Sequence, residues 1–249
     1  MTILGALLAL FIGITLGLLG GGGSILTVPA FVYAFGLDPK RAIAMSLPVV
    51  GGAALVGAIQ HWRKGNVALR TALPFGAAAM IGAYAGARLA GYLNGHIQLV
   101  LFALVMLAAS FSMFRSSLRA EPVTPAATAS WPALLAIGVG VGSLTGLLGA
   151  GGGFLIVPAL VLLGGLPMSQ AVGTSLLVIT MNTTAGFLGY RGEVDIDWPL
   201  VLRVGGLAAI GILVGSSLVH YVPQRALKRA FALLLVIVGS TILWQYGTL

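Results

Sequence analysis

The stretch that decides the fold occurs twice: "GLLGGGGSILTVPA" at Gly17–Ala30 and "GLLGAGGGFLIVPA" at Gly146–Ala159. Ten of the fourteen positions are identical, the exceptions being Gly21/Ala150, Ser24/Gly153, Ile25/Phe154 and Thr27/Ile156. Each copy sets a glycine tract between apolar stretches and closes on a proline, Pro29 or Pro158. Glycine and proline are the poorest helix formers, so each copy predicts a helix that stops and restarts. The prolines sit beyond the first turn of the restarted helix, where a proline bends the chain.

What surrounds the two copies is membrane sequence. Of 249 residues, 59% are hydrophobic and only 7% are Asp, Glu, Lys or Arg, and the mean hydropathy is +1.07. A soluble domain carries about 25% charged residues, so this chain has too few to cover a water-facing surface. Apolar segments of spanning length recur from end to end, which predicts an all-α polytopic membrane protein. Most of the 37 glycines read as helix-packing residues, because membrane helices associate by close backbone approach at small side chains. Gly82/Gly86 and Gly211/Gly215 have that four-residue spacing.

A shift of 129 residues also lays Gly82, Gly86 and Tyr92 on Gly211, Gly215 and Tyr221, and "FAL" at 102–104 on "FAL" at 231–233. The chain is an internal repeat. Five apolar segments fall in each half: 3–19, 24–36, 42–60, 68–93 and 97–114, then 131–149, 153–165, 170–190, 198–221 and 225–246. We expect a membrane repeat at 1–114, a linker at 115–130 and a second repeat at 131–249. The first segment lacks the basic flank and cleavage site of a signal peptide. Its copy lies inside the chain, so it is expected to belong to the mature fold.

Segment 24–36 has 13 residues, about 20 Å of helix against a hydrocarbon core of about 30 Å. The first two segments are therefore one broken helix or a hairpin. The architecture is accordingly eight full spans plus broken or re-entrant hairpins, or ten short spans. The tendency of basic residues to stay cytoplasmic decides between hairpin and broken helix. A hairpin collects Arg63, Lys64, Arg70, Arg115, Arg119, Arg225, Lys228 and Arg229 on one side, leaving Lys40, Arg41, Arg88, Arg191 and Arg203 on the other. A single broken helix splits the same residues seven to six. The hairpin inverts the second half relative to the first and places both termini away from the cytoplasm. Inverted halves are the build of many alternating-access carriers, and the two glycine tracts would enter from opposite faces and meet near the midplane.

A helix that stops inside the bilayer has terminal N–H and C=O groups that lipid cannot satisfy. The restarted helix points free N–H groups and its positive dipole end at whatever lies there, which favours an anion. Glycine lets that anion approach the backbone. Gly22, Gly23, Ser24, Gly151, Gly152 and Gly153 are the candidate binding residues of the two tracts. A nucleotide loop is excluded, since neither tract ends in G-K-[ST] or gives G-x-G-x-x-G. A purely structural hairpin turn is the alternative, although a plain turn needs one or two glycines rather than a tract.

Further candidates follow each hairpin. "AIAMSLP" at 42–48 aligns with "AVGTSLL" at 171–177, superposing Ser46 on Ser175 beside Thr174, and "VITMNTTAGF" then adds Asn182 among Thr180, Thr183 and Thr184. Ser and Thr often bond only their own helix carbonyls, whereas a buried carboxamide needs several partners. Pro48 frees the carbonyl of Ala44 and predicts a local break.

The five acidic residues, Asp38, Glu121, Glu193, Asp195 and Asp197, all fall in loops, so no carboxylate is offered for a proton relay or the usual sodium site. His61, His96 and His220 fall at segment ends and are expected at the interface. No base–nucleophile pair and no metal-ligand cluster is present, there is no cysteine, and no cofactor is expected. The charge of +8 lies at segment ends rather than in an aromatic-laced stripe, so nucleic acid is not an expected partner. With a negative cytoplasm a monovalent anion gains about 2.3 kcal/mol per 100 mV on leaving, which suits export without a coupling ion.

The phrase G-x-x-G-x-G-G-G-x-x-x-x-P, matched throughout at Gly146–Pro158, resembles the sulfite exporter TauE/SafE family. So do A-x-G-T-S-L at Ala171–Leu176 and G-x-V-D at Gly192–Asp195. The first copy departs at Ser24 and at Ala44-Met45. The resemblance implies an inner-membrane permease exporting sulfite or organosulfonate-type anions. An anion channel of the same architecture is the alternative reading, and a non-transporting scaffold a third. The expected partners are the small anion and the bilayer, with homo-oligomerisation left open.

Overall fold

The computed structural model describes residues 3–118, 131–148, 153–162, 164–190, 194–218 and 221–246. They include ten α-helices: α1 Ile3–Leu19, α2 Gly22–Pro29, α3 Pro39–Arg63, α4 Leu69–Ala90, α5 Gly95–Leu118, α6 Trp131–Leu148, α7 Gly153–Leu162, α8 Met168–Gly189, α9 Trp198–Leu218 and α10 Gln224–Tyr246. Six of the described helices are long and apolar enough to cross a membrane. The chain is an all-α, multi-pass membrane protein. α5 runs four residues into the expected linker, and positions 119–130 lie outside the described residues.

The glycine tract makes a hairpin. Gly20 (φ +67) adopts the left-handed conformation that glycine takes at little cost, and its N–H closes α1 on the carbonyl of Leu16 at 2.8 Å. α2 then folds back, and a Cβ on Gly23 would overlap the Ile12 carbonyl and lie 2.6 Å from Leu16 Cβ. Eleven residues of continuous helix would separate those positions by roughly 16 Å. Pro29 cannot donate a hydrogen bond, and the chain after it opens into a π-helical turn, Ala30–Ala34.

The repeat is reproduced bond for bond at the far end of each hairpin. Phe35 N–H donates to Ala30 O and Leu37 N–H to Phe31 O in the first half. Gly164 N–H to Ala159 O and Leu166 N–H to Leu160 O are their counterparts. Gly36 and Gly165 turn there at φ +67 and +66.

Equivalent helices of the two halves pack on each other and run antiparallel. A Cβ on Gly51 of α3 meets Thr183 of α8, one on Gly57 meets Leu176, and one on Gly186 meets Leu47. In α5 and α10, Ser110 Oγ donates to Ala232 O at 2.8 Å, and Gly239 faces Ala103 and Leu107. Antiparallel mates require a two-fold axis perpendicular to the helices, hence in the membrane plane: the halves are inverted.

The halves also interlock. α1 lies along α9 and α6 along α4, each parallel pair joined by glycine against backbone. Gly13 and Gly17 face Ala208 and Ile212, while Gly142 and Gly146 face Ala79 and Ala83. Gly82/Gly86 and Gly211/Gly215 are the answering glycines, as their spacing suggested.

Two sequence expectations fail. α3 is continuous through Pro48, so losing one hydrogen bond does not break a helix held on both flanks by α8 and α9. His61 is not interfacial but fully buried, because the connection after α3 folds back over it. There Asn66 O stands against Gly173, and Ala68 N–H donates to Thr174 Oγ1 at 3.0 Å.

Candidate functional site

The two hairpins meet backbone to backbone. A Cβ on Gly21 would overlap the carbonyl of Gly153, and one on Gly153 would lie 2.6 Å from Ile179 Cδ1 and 3.2 Å from Ser24 Oγ. Under the 129-residue shift Gly153 is the counterpart of Ser24, so this contact sets the pseudo-axis near Gly22 and Gly23. α2 and α7 therefore begin at the same place from opposite sides, each with the N–H groups of its first turn lacking carbonyls of its own helix. Gly151 and Gly152 lie outside the described residues.

The glycines of the first tip have packing reasons of their own. Gly20 stands against Val172 Cα and Ser175 Oγ, each 2.7 Å from an added Cβ, Gly21 against Gly153, and Gly23 against α1. Gly22 differs, since the three atoms nearest an added Cβ are all side-chain atoms, Leu19 Cδ1 at 2.8 Å, Leu19 Cβ at 3.1 Å and Leu234 Cδ2 at 3.2 Å.

The hydroxyls around the tip are fully buried and satisfied by backbone. Ser24 Oγ donates to Gly21 O at 2.7 Å and Thr27 Oγ1 to Gly23 O at 3.1 Å. Ser175 Oγ lies 2.7 Å from Gly20 O and 2.8 Å from Val172 O, so α8 holds the first hairpin at its bend. Ser46 Oγ donates to Ile43 O at 2.7 Å, and Gly149, the copy of Gly20, lies outside the described residues. Thr174 is not brought to the tip, because its hydroxyl caps the start of α4 through Ala68.

Asn182 joins α8 to α6. Its Nδ2 donates to Thr145 Oγ1 at 2.6 Å, and Thr145 donates onward to Gly142 O at 3.0 Å. The side chain is 2% exposed, and its Oδ1 is buried with no hydrogen-bond partner. Two further polar residues, absent from the sequence-based candidates, gather at the end of α6 just before the second tract. Gln98 Nε2 donates to Leu147 O at 3.0 Å, and Tyr190 OH lies 3.3 Å from the same carbonyl. These satisfy a carbonyl that α6 exposes by stopping in the bilayer.

The 129-residue shift supplies the signal that could have found them. Asn182, Thr145 and Gln98 fall on Ala53, Leu16 and Leu227, while Tyr190 falls on His61. Asn182, Thr145 and Gln98 are each polar where the other half is apolar, two of them in the second half and one in the first.

Smaller pockets open to the surface elsewhere. One of about 230 Å³ between α3 and α8 is bordered by Pro48, Gly51, Thr180, Thr183 and Thr184. The three threonine hydroxyls all donate to carbonyls of α8.

An inverted pair of five-helix halves with broken hairpins meeting at their centre defines a membrane transporter fold class. The chain matches the family model described as Sulfite exporter TauE/SafE over residues 5–242, and it belongs to that family. It is similar to a probable membrane transporter protein of Xylella fastidiosa (strain 9a5c), 32% identical over 239 residues covering 94% of this chain and 92% of that protein. It is also similar to the probable membrane transporter protein YdhB of Bacillus subtilis (strain 168), 27% identical over 241 residues, 96% and 98% of the two chains. No solved structure matches it. Family and relatives alike make the chain a membrane transporter and not an enzyme.

Proposed function

We propose that the chain is a secondary transporter that exports small sulfur-containing oxyanions, sulfite or organosulfonates, by alternating access of its two halves across the inner membrane. The observation that carries this reading is the contact of Gly21 with Gly153. It puts the positive ends of two helices, entering from opposite faces, at one point on the pseudo-axis. Two converging N-termini favour negative charge without any buried cation. The family description names sulfite, and a cytoplasm-negative potential drives such an anion outward.

In this reading Gly22, Gly23, Gly151 and Gly152 offer backbone donors, Ser24 and Gly153 flank them, and Ser46, Ser175 and Asn182 orient the anion. Asn182 Nδ2 carries a second N–H beyond the one given to Thr145 Oγ1, and an amide N–H is what an oxyanion accepts from. Thr174 serves instead to hold the connection into α4.

Gly22→Ala tests the site. Its neighbours are side chains that can yield, and alanine favours helix by up to about 1 kcal/mol, so the fold is kept. Sulfite efflux from proteoliposomes is expected to fall at least about tenfold, the loss of about 1.4 kcal/mol of binding. Undiminished efflux by a correctly folded Gly22→Ala protein would remove the tips from the binding site.

A further inference from the structure

A groove of about 550 Å³ lies away from the hairpin tips, on the outer face of α5 and α10. Leu107, Phe111, Phe114, Leu233 and Val236 wall it, and Arg229 stands at one end. Because the two helices run antiparallel through the Ser110–Ala232 bond, the last turn of α5 and the first of α10 share that end. Arg115 and Arg225 are there too, and all three arginines are exposed. Both helices are of membrane-crossing length and composition, so the trough lies in hydrocarbon and its arginine end at the water interface.

Basic residues at a cytoplasmic interface are expected from topology alone. What distinguishes this place is the apolar trough leading up to them. Its occupant must be apolar over most of its length and anionic at one end. A second copy of the chain fits poorly: two-fold symmetry about the membrane normal would set the same arginines against each other at the same depth. A zwitterionic lipid fills the trough but leaves the positive end uncompensated.

We infer that this groove is a binding site for an anionic phospholipid, one acyl chain lying between α5 and α10 and the headgroup phosphate held by Arg229 with Arg225 and Arg115. The site does not depend on the substrate reading above. It does bear on the hairpin, since Leu234, one residue beyond Leu233 on α10, is the side chain that backs Gly22. A lipid seated on one side of this turn braces the helix that supports the tip on the other.

The test uses the full chain in detergent, titrated with phosphatidylglycerol and in parallel with phosphatidylcholine of the same acyl chains. Bound lipid is read by native mass spectrometry and stability by thermal unfolding. Phosphatidylglycerol is expected to stay bound and to raise the unfolding temperature more than phosphatidylcholine does. R225Q/R229Q should weaken phosphatidylglycerol binding roughly 30-fold, the factor implied by about 1 kcal/mol per basic side chain. Ala230 lines the groove and is exposed, so A230W fills the trough and should abolish the preference while leaving the lipid-free unfolding temperature unchanged. Equal effects of the two lipids on the wild type, or a preference that survives both variants, would overturn the inference. So would a dimer that persists in phosphatidylglycerol and is dissolved by A230W, which would give the groove to a second copy.

Discussion

Single residues at the centre of the molecule carry two demands at once. Gly21 must admit the backbone of Gly153, and Gly20 must take a positive φ under Val172. Neither position tolerates a side chain, whatever is transported. Asn182 separates function from stability more cleanly. Replacing it with leucine removes one hydrogen bond, worth about 1 kcal/mol, but also removes a buried oxygen without a partner, and these nearly offset. Thr145 keeps its bond to Gly142 O. Asn182→Leu should therefore unfold within about 1 kcal/mol of the wild type, while sulfite flux falls at least about tenfold through loss of a bond to a charged ligand. Calorimetry and flux on the same preparation check both halves of that statement, and unchanged flux would reduce Asn182 to a helix bridge.

At the scale of the element, glycine is packing surface, and its importance is set by what lies opposite. A Cβ on Gly142 of α6 would overlap the carbonyl of Ala79, whereas one on Gly140 of the same helix meets nothing within 4 Å. Gly142→Ala should cost about 1–3 kcal/mol by forcing α6 from α4. Gly140→Ala should be neutral or stabilise by up to about 1 kcal/mol. Thermal unfolding of the pair decides it, and equal effects would contradict the parallel packing of α6 on α4.

Much of this level was legible beforehand. A 13-residue segment too short to cross and a charge count favouring a hairpin foretold the fold-back of α2 on α1, and four-residue glycine spacings marked the packing faces. Their partners were not legible, since nothing local tells α1 that it lies on α9. His61 was misjudged for the same reason: its burial comes from Asn66 and Ala68 folding onto α8, not from its own surroundings in sequence. Thr145, Gln98 and Tyr190 escaped notice because each is unremarkable alone. They stand out only when the halves are superposed and the matching positions prove different: Leu16, Leu227 and His61.

For the whole molecule, the proposed cycle treats an outward-open and an inward-open form as two arrangements of the same inverted halves. Asn182, Gln98 and Tyr190 all bond to α6, at Thr145 Oγ1 and at Leu147 O. A topology prediction follows from the charge count: a reporter fused after Leu249 should report from outside the cytoplasm, and a cytoplasmic signal would reverse the assigned faces. An anion channel could share this fold and this site but not this cycle. The measurement that reaches the central claim most directly is counterflow: proteoliposomes preloaded with unlabelled sulfite are diluted into a trace of labelled sulfite. A carrier alternating about the paired hairpins predicts a transient accumulation of label above its equilibrium level. Label that only rises monotonically to equilibrium, or does not enter at all, would contradict it.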